Sequence, residues 1–304
     1  MYTYAWYHWL TFFYIYCFFG WIFESTYVSL KQGRFVNRGF LRLPLLPLYG
    51  TGAVMMLWVS LPVKNNLFLV YISGVIAATI LEYVTGYVME RLFKMKYWDY
   101  SNQRFNIHGY ICLSSSIAWG FLTIFMTEIV HKPVEDLVLH LNPVLELTLL
   151  GIISASFVAD SIQSVREALD LGRALEAMTK MKAELEDIQV QMALLKAETS
   201  QRVNDFREDT ASKVNELKVL REDAAQKLAD LKQDTAMRVA GLKTETETAL
   251  NARLELLTEN RRKMKQHMTF YKKGLLRGNP SASSKRFAEA LKELRETIEQ
   301  KKSA

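Results

Sequence analysis

Cysteine is nearly absent from this 304-residue sequence, which contains only Cys17 and Cys112. Both lie inside apolar runs, so the chain has no disulfide framework and no CxxC spacing for a metal or redox site. The phosphate-binding pattern GxxxxGK[ST], the dinucleotide pattern GxGxxG after a strand, and the nucleophile pattern GxSxG are also missing. The sequence therefore predicts no nucleotide-driven motor and no enzyme of these classes, and it identifies no metal site and no cofactor.

Charge is scarce in the first half of the chain and abundant in the second. Residues 1–166 contain 11 Lys or Arg and 9 Asp or Glu, whereas the remaining 138 residues contain 27 Lys or Arg and 23 Asp or Glu. The formal net charge of +6 is small and both signs are mixed, so nucleic acid is not an expected partner. The first half consists of long apolar and aromatic runs. We therefore predict an all-α chain with a transmembrane domain over 1–166 and a long polar tail.

Five apolar stretches approach the length of about 20 residues that a helix needs to cross a bilayer. They cover residues 4–24, 44–62, 67–90, 107–130 and 143–162. The first stretch has no Lys or Arg before Lys31 and no small-residue cleavage site, so we predict a retained span and not a signal peptide. The segment 37–52 contains two prolines and three glycines. It either begins the second span or enters the membrane as a re-entrant stretch.

The cations lie in alternate loops of this predicted topology. Four lie between the first and second spans, four between the third and fourth, and Arg166 and Arg173 follow the fifth. The other loops contain only Lys64 and Lys132. By the positive-inside rule, the N-terminus is predicted to lie outside and the tail in the cytoplasm.

Ionisable residues in the membrane half are the candidates for a functional site, because a charged side chain at mid-bilayer costs about 2.5–3.5 kcal/mol. Glu82 lies deepest in its span, Glu24 ends the first span, and Asp99 lies between two aromatic residues, with Arg38 as the expected countercharge. One interpretation is a route for an ion or solute. The other is a set of ordinary pairs at the membrane interface. Glu146 is predicted to be a solvated helix end.

Five short motifs occur in the order and spacing of a known family. They are FGWIFES (19–25), GRFVNRGFL (33–41), PLLPLYGTG (44–52), YWDYS (97–101) and FNIHGYICL (105–113). With these motifs the chain resembles the type IV ABC-transporter permease family, the CmpB-like proteins of Gram-positive bacteria, over roughly residues 10–130. The segment 271–299 is also similar to a tail that follows such domains.

The resemblance implies a multi-pass protein of the bacterial plasma membrane with a role in transport, and it leaves room for a separate ATPase subunit as a partner. It implies no particular substrate. Together with Glu82, the matching positions give the transport-pathway candidates Glu24, Asn37, Arg38, Asp99 and Asn106. The candidates for a structural role in the motifs are Gly39, Pro47, Tyr49, Gly50, Trp98, Tyr100 and Gly109.

The polar tail lacks helix breakers and has an eleven-residue repeat. Proline is absent between Val144 and Asn279, and Gly241 is the only glycine in 173–273. We therefore predict one continuous cytoplasmic helix over 167–273. Eleven residues per three turns predict a nearly straight or gently right-handed coiled coil. The narrow apolar stripe favours a protein partner over a lipid surface.

Because every copy would leave the same side of the membrane, the coiled coil is predicted to form a parallel homo-oligomer. Its seam residues are Phe206, Leu217, Leu220, Leu228, Leu231, Val239, Leu242 and Leu250. Residues 274–304 are predicted to form a loop and a short helix, with Ser283 or Ser284 as the N-cap.

Three functional hypotheses remain open from the sequence. The first is an oligomeric channel or permease for an ion or small solute, assembled by the coiled coil within the lipid membrane. The second is a membrane-anchored scaffold whose tail is the functional part. The third is an intramembrane enzyme that uses Glu82 and Asp99. The polar residues of the membrane half favour the first, because an anchor needs only one span and no buried acid.

Overall fold

The chain folds into two compact units of helices. The computed structural model describes residues 4–217 and 222–303, with only part of the side chains between 203 and 244. Unit one consists of Met1–Glu176 with Met268–Ala304, and unit two consists of Ala177–His267. Helices and irregular connections account for the described residues, which contain no strand. The all-α prediction is therefore confirmed for them.

The two longest irregular connections in the described part of the chain are 33–46, after the first helix, and 94–112, after the third. In chain order the helices are α1 (Trp6–Gln32), α2 (Pro47–Ser60), α3 (Leu67–Phe93), α4 (Leu113–Phe125), α5 (His131–Leu139), α6 (Pro143–Leu217), α7 (Glu222–Gln266), α8 (Phe270–Gly278) and α9 (Ala288–Ser303). A 3-10 turn, Leu61–Val63, ends α2. A π-helical stretch, Met126–Val130, joins α4 to α5, so Leu113–Leu139 is one continuous helix.

Three helices in the described part of the chain are long and apolar enough to cross a membrane. They are α3, the continuous helix Leu113–Leu139, and the Pro143–Arg202 part of α6. The apolar helix Pro47–Val63 is shorter, and α1, which is rich in Trp and Tyr, is not among the three. Many large apolar side chains on these helices are exposed, which indicates contact with lipid. The chain is a helical membrane protein, and five crossings stay a prediction.

Residues 33–46 are irregular and run back along α1. The Arg38 amide donates to the Ser25 hydroxyl (3.1 Å), and the Leu46 amide donates to the Cys17 carbonyl (3.0 Å). Ser25 and Cys17 are separated by about 12 Å along the helix axis, at 1.5 Å per residue. α2 therefore begins beside the middle of α1, and non-helical backbone extends to that level. Both interpretations of 37–52, the start of the second span and a re-entrant stretch, stay predictions.

An aspartate of α6 provides hydrogen-bond partners for this irregular backbone. The Asp160 carboxyl accepts from the backbone amides of Arg42 and Leu43, each at 2.9 Å, and Asp160 is buried. Lipid offers no partner to free amide groups, so irregular backbone inside a membrane domain must be satisfied by protein. Asp160 lies within the predicted span 143–162, but it was not among the candidates from the sequence.

Unit two contains helices that run in opposite directions. The Arg253 guanidinium of α7 lies 3.4 Å from the Glu184 carboxyl of α6. A single straight helix would separate these two residues by about 100 Å, so α6 and α7 pack side by side in opposite directions. This differs from the continuous helix predicted over 167–273, and α7 also ends earlier, at Gln266. The eleven-residue stripe does not distinguish the two arrangements, because a returning segment of the same chain can cover it as well as a second copy.

The structure describes few side chains of the predicted oligomer seam. Leu220 is not among the described residues. For six further seam residues the backbone is described but the side chain is not: Phe206, Leu217, Leu228, Leu231, Val239 and Leu242. Leu250 is half-buried. The parallel homo-oligomer therefore stays a prediction.

Candidate functional site

Glu82 is buried in the middle of α3, with only 5% of its surface exposed. The Trp119 indole N–H donates to its Oε2 at 2.8 Å, and the Tyr100 hydroxyl donates to its Oε1 at 3.2 Å. The Ser115 hydroxyl lies 3.3 Å from Oε2. Among the described residues, no cationic side chain forms an ion pair with Glu82. Its carboxyl is therefore held in place by neutral donors.

Glu82 lines a cavity of about 420 Å³ between α1, α2, α3 and the helix Leu113–Leu139. The lining residues are Tyr16, Phe19, Gly20, Phe23, Leu48, Tyr49, Gly52, Ala53, Met56, Ala78, Leu81, Glu82, Trp119, Leu122, Phe125, Met126 and Val130. Glu82 is the one carboxyl in this otherwise aromatic and aliphatic set. A cavity of this size with few, fixed polar groups has the form of a small-molecule site.

Tyr49 connects the cavity to a charged pair. Its side chain lines the cavity, and its hydroxyl donates to Glu24 Oε1 at 2.7 Å. The other carboxyl oxygen of Glu24 accepts from Arg38 Nε at 3.4 Å. Gly20 of α1 leaves room for the Tyr49 ring, because a Cβ at position 20 would overlap it. The missing side chain thus lets α1 and the first turn of α2 approach closely.

Arg38 links the irregular segment 33–46 to the C-terminal segment, defined as residues 268–303. Its Nη1 donates to the side-chain oxygen of Asn279 at 2.7 Å and to the Gly278 carbonyl at 3.3 Å. The Asn279 side-chain nitrogen donates in turn to the Gly39 carbonyl at 2.9 Å. The guanidinium of Arg38 is therefore shared between Glu24 and the C-terminal segment.

Three other motif residues position α1 and α2. The Asn37 side-chain oxygen accepts from the Trp21 indole N–H at 2.6 Å and so fixes the irregular segment to α1. Pro47 is the first residue of α2, where its missing N–H removes no helical hydrogen bond. A Cβ at Gly50 would lie 2.6 Å from the Phe13 carbonyl, so glycine permits the close crossing of α1 and α2.

Asp99 lies between α3 and α4 and accepts hydrogen bonds from two serines. The Ser101 amide and hydroxyl both donate to Oδ1, and the Ser283 hydroxyl of the C-terminal segment donates to Oδ2 at 2.9 Å. Partial burial would raise the pKa of the Asp99 carboxyl. The three hydrogen bonds and the nearby Lys96 ammonium outweigh this effect and lower the pKa below its ordinary value. Asp99 is therefore a charged acceptor at neutral pH that anchors the C-terminal segment.

Backbone contacts extend this attachment. Lys96 and Ser283 exchange two backbone hydrogen bonds of 2.8 Å each, in an isolated antiparallel bridge. The Ser284 hydroxyl donates to the Lys94 carbonyl at 2.9 Å and accepts from the Phe287 amide at 3.3 Å. We call residues 33–46 and 94–112 the basic end of unit one. The C-terminal segment is bonded to both parts of the basic end.

The remaining motif residues shape the 94–112 part of the basic end. The Trp98 indole N–H donates to the Tyr110 carbonyl at 2.9 Å. The Asn106 side chain donates to neighbouring carbonyls and accepts from the Gly109 amide at 3.2 Å. Gly109 has a φ of 74°, and a Cβ there would lie 2.6 Å from Asp99 Oδ1. Glycine at this position therefore allows the loop to fold around Asp99.

A second hydrogen-bonded group reaches the cavity through Tyr16. The Tyr16 hydroxyl lies 2.9 Å from His131 Nδ1, and the Tyr4 hydroxyl lies 3.3 Å from His131 Nε2. Tyr4 also donates to Glu135. His131 directly follows the π-helical stretch Met126–Val130, whose two end residues line the cavity. Such stretches often occur at functional sites.

Several hydrogen-bond partners of the predicted site residues were not predicted from the sequence, and the prediction for one glutamate was wrong. Trp119, Asn279 and Ser283 bind the predicted acids and Arg38, but isolated residues of these types carry no signal in a single sequence. Glu146 is not the solvated helix end that was predicted, because it is 2% exposed and accepts from the Thr11 hydroxyl at 2.6 Å. No group of three or more His, Cys, Asp or Glu that could hold a metal ion occurs in the described part of the chain.

The fold and the cavity define a helical membrane protein in which the buried carboxyl of Glu82 lies beside an apolar cavity. A family model described as "Putative ABC-transporter type IV" matches residues 11–165, and the chain belongs to this family. The matched range contains every residue that lines the cavity, whereas the C-terminal segment lies beyond it. No curated protein and no solved structure matches the chain. Family membership and the apolar helices make this a membrane protein related to transport.

Proposed function

We propose that this protein transports a small, largely apolar solute and binds it in the cavity beside Glu82. The observation that carries the proposal is the cavity of about 420 Å³ with one carboxyl in its wall. Membership of a transporter family supports it. A scaffold would need no cavity of this kind. Glu82 and Asp99, the acids of the enzyme hypothesis, lie in separate hydrogen-bonded groups.

The lining indicates the chemistry of the solute. Glu82 accepts from Trp119 and Tyr100, and a carboxyl with two oxygens can accept further hydrogen bonds. An amine or another hydrogen-bond donor on an apolar body would use that capacity and would bury its apolar part against the aromatic lining. An inorganic ion fits less well, because apolar side chains cannot replace its hydration shell.

The other predicted pathway residues receive supporting roles in this proposal. Glu24 and Arg38 border the cavity through Tyr49, and Asp99 holds the C-terminal segment on the basic end. Asn37 and Asn106 fix the two irregular segments of that end. These residues keep the cavity wall and the basic end together and do not form a continuous polar route.

The proposed topology has five crossings in the bacterial plasma membrane, with the N-terminus outside and the basic end in the cytoplasm. The excess of Lys and Arg in the basic end supports this orientation. A separate ATPase subunit would supply the energy and would meet the basic end, while this chain serves as a non-catalytic membrane component. A parallel homo-oligomer through the predicted seam is a further proposal. The alternative partner is α7 of the same chain, which contacts α6 through the ion pair of Arg253 and Glu184.

Filling the cavity tests the proposed function directly. Gly52 lines the cavity, and a Cβ there would have only Leu81 Cδ2 nearby, at 3.8 Å. We expect Gly52→Leu to fold normally and to reduce uptake of alkyl amines into reconstituted vesicles by about tenfold or more, because about 1.4 kcal/mol of lost solute binding corresponds to a factor of ten.

Gly151→Leu is the matched control, because a Cβ at Gly151 would meet nothing within 4 Å. It should transport like the wild type. The panel should contain alkyl amines, alcohols and carboxylates of equal chain length. Equal uptake of every compound by both variants would contradict a transport role for the cavity.

A further inference from the structure

A basic pocket lies where the end of α1 meets the C-terminal segment, apart from the cavity at Glu82. Its volume is about 240 Å³. Gln32 and Arg34 line it from the α1 side, Arg277 from α8, and Arg295 and Glu299 from α9. Three guanidinium groups and one carboxylate give the pocket a positive charge. None of these residues belongs to the predicted pathway.

The guanidinium groups of this pocket keep free hydrogen-bond capacity. Arg34 has no ion pair with any acid among the described residues. Arg277 uses one nitrogen to donate to the Ile298 carbonyl at 3.3 Å. Arg295 donates to the Ala282 carbonyl at 2.7 Å, and its Nε is buried without a hydrogen-bond partner. A buried cationic donor without a partner is costly, so an anion that accepts from it would be stabilised.

An apolar groove begins beside Arg34 and follows α1. It has a volume of about 440 Å³, and its lining includes Trp21, Ile22, Leu30 and Phe35. Leu30 and Phe35 are 79% and 75% exposed. Phe35 is the next residue after Arg34, so consecutive residues of the turn after α1 line the basic pocket and the apolar groove. Large apolar side chains this exposed at the end of a membrane helix fit the acyl chain of a lipid.

We propose that the basic pocket binds the phosphate group of an anionic phospholipid, with one acyl chain in the groove along α1. Arginine binds phosphate oxygens through several donors of fixed geometry, and basic pockets at the cytoplasmic face are typical sites for anionic headgroups. The bound lipid joins α1 to α8 and α9. It therefore stabilises the C-terminal segment on the basic end. The site does not depend on the proposed solute or on its transport.

Lipid binding to the full-length protein tests this site. Native mass spectrometry in detergent would count bound phosphatidylglycerol and phosphatidylcholine on the wild type and on the double variant Arg34→Gln/Arg277→Gln. Arg295 is left intact, because it also holds backbone carbonyls of the C-terminal segment. The control Lys31→Gln/Lys285→Gln removes the same charge at exposed residues that do not line the pocket.

We expect the wild type and the control to retain one phosphatidylglycerol in preference to phosphatidylcholine, and the double variant to bind it about tenfold more weakly. The thermal midpoint of the wild type, but not of the double variant, should rise with phosphatidylglycerol. Equal retention of phosphatidylglycerol by all three proteins would overturn the proposal. Full displacement of the lipid by millimolar inorganic phosphate would overturn it too, since the pocket would then take free phosphate without using the groove.

Discussion

Glu82→Gln should reduce uptake of amine solutes by about ten- to a hundredfold while leaving uptake of neutral solutes of the same length within about twofold of the wild type. The range follows from the loss of one charge-assisted hydrogen bond, worth about 1.5–3 kcal/mol. Glutamine still offers an oxygen to the Trp119 indole, so the wall of the cavity keeps its shape. Initial rates in reconstituted vesicles would measure the effect.

Glu82→Ala separates this role of the carboxyl from its role in folding. Alanine leaves the Trp119 N–H without its acceptor, which costs about 1–3 kcal/mol of stability, so this variant should melt at a lower temperature than Glu82→Gln. Glu128→Gln is a suitable control, because Glu128 pairs with exposed Lys132 and does not line the cavity. If Glu82→Gln reduced the uptake of amines and alcohols equally, the proposed selectivity would be wrong.

Truncation after Glu176 should severely destabilise unit one, although it leaves every predicted span intact. It removes the C-terminal segment, including Asn279 and Ser283, which bind Arg38 and Asp99. The segment also buries seven large apolar side chains, those of Met268, Leu275, Leu276, Phe287, Leu291, Leu294 and Ile298. The truncation exposes the apolar surface that they cover, at a cost of about 25 cal/mol per Å², and leaves Arg38 and Asp99 without these partners. Thermal melting followed by size-exclusion chromatography would measure the destabilisation.

Deletion of unit two alone provides the control for this truncation. Glu167 accepts from Thr269 at 2.9 Å, and Glu176 lies about 14 Å further along α6. A Gly/Ser linker of about eight residues spans about that distance and can replace residues 177–267. This protein should melt close to the wild type. If both proteins melted alike, the C-terminal segment would not be a structural part of unit one.

Apolar length predicted some helices of the membrane half more closely than others, since the predicted span 107–130 begins six residues before its helix, which starts at Leu113. The predicted span 67–90 corresponds to α3, Leu67–Phe93, and α6 begins at Pro143 as expected. The antiparallel packing of α6 and α7 was not predictable in this way. The eleven-residue apolar stripe predicts that the helix packs against a partner helix. A parallel second copy and an antiparallel helix of the same chain can both be that partner.

The candidate site was predictable only in part, for a similar reason. The energetic cost of placing charge in a membrane singled out Glu82, Glu24 and Arg38, and the structure gives each of them buried or half-buried partners. Their partners could not be predicted, because Asn279 lies more than 200 residues from Arg38 and no repeat or motif connects them. Tertiary folding alone brings such residues together.

The most direct test of the proposed function is whether an apolar molecule reaches Glu82 in the cavity. Hydrophobic carbodiimides convert carboxylic acids in apolar surroundings to stable adducts, which peptide mass spectrometry locates. We expect one dominant adduct, on Glu82, that is strongly reduced in Gly52→Leu, unchanged in Gly151→Leu, and absent with a water-soluble carbodiimide. Labelling of Glu24 in place of Glu82, or labelling of Glu82 that Gly52→Leu leaves unchanged, would contradict the proposed function.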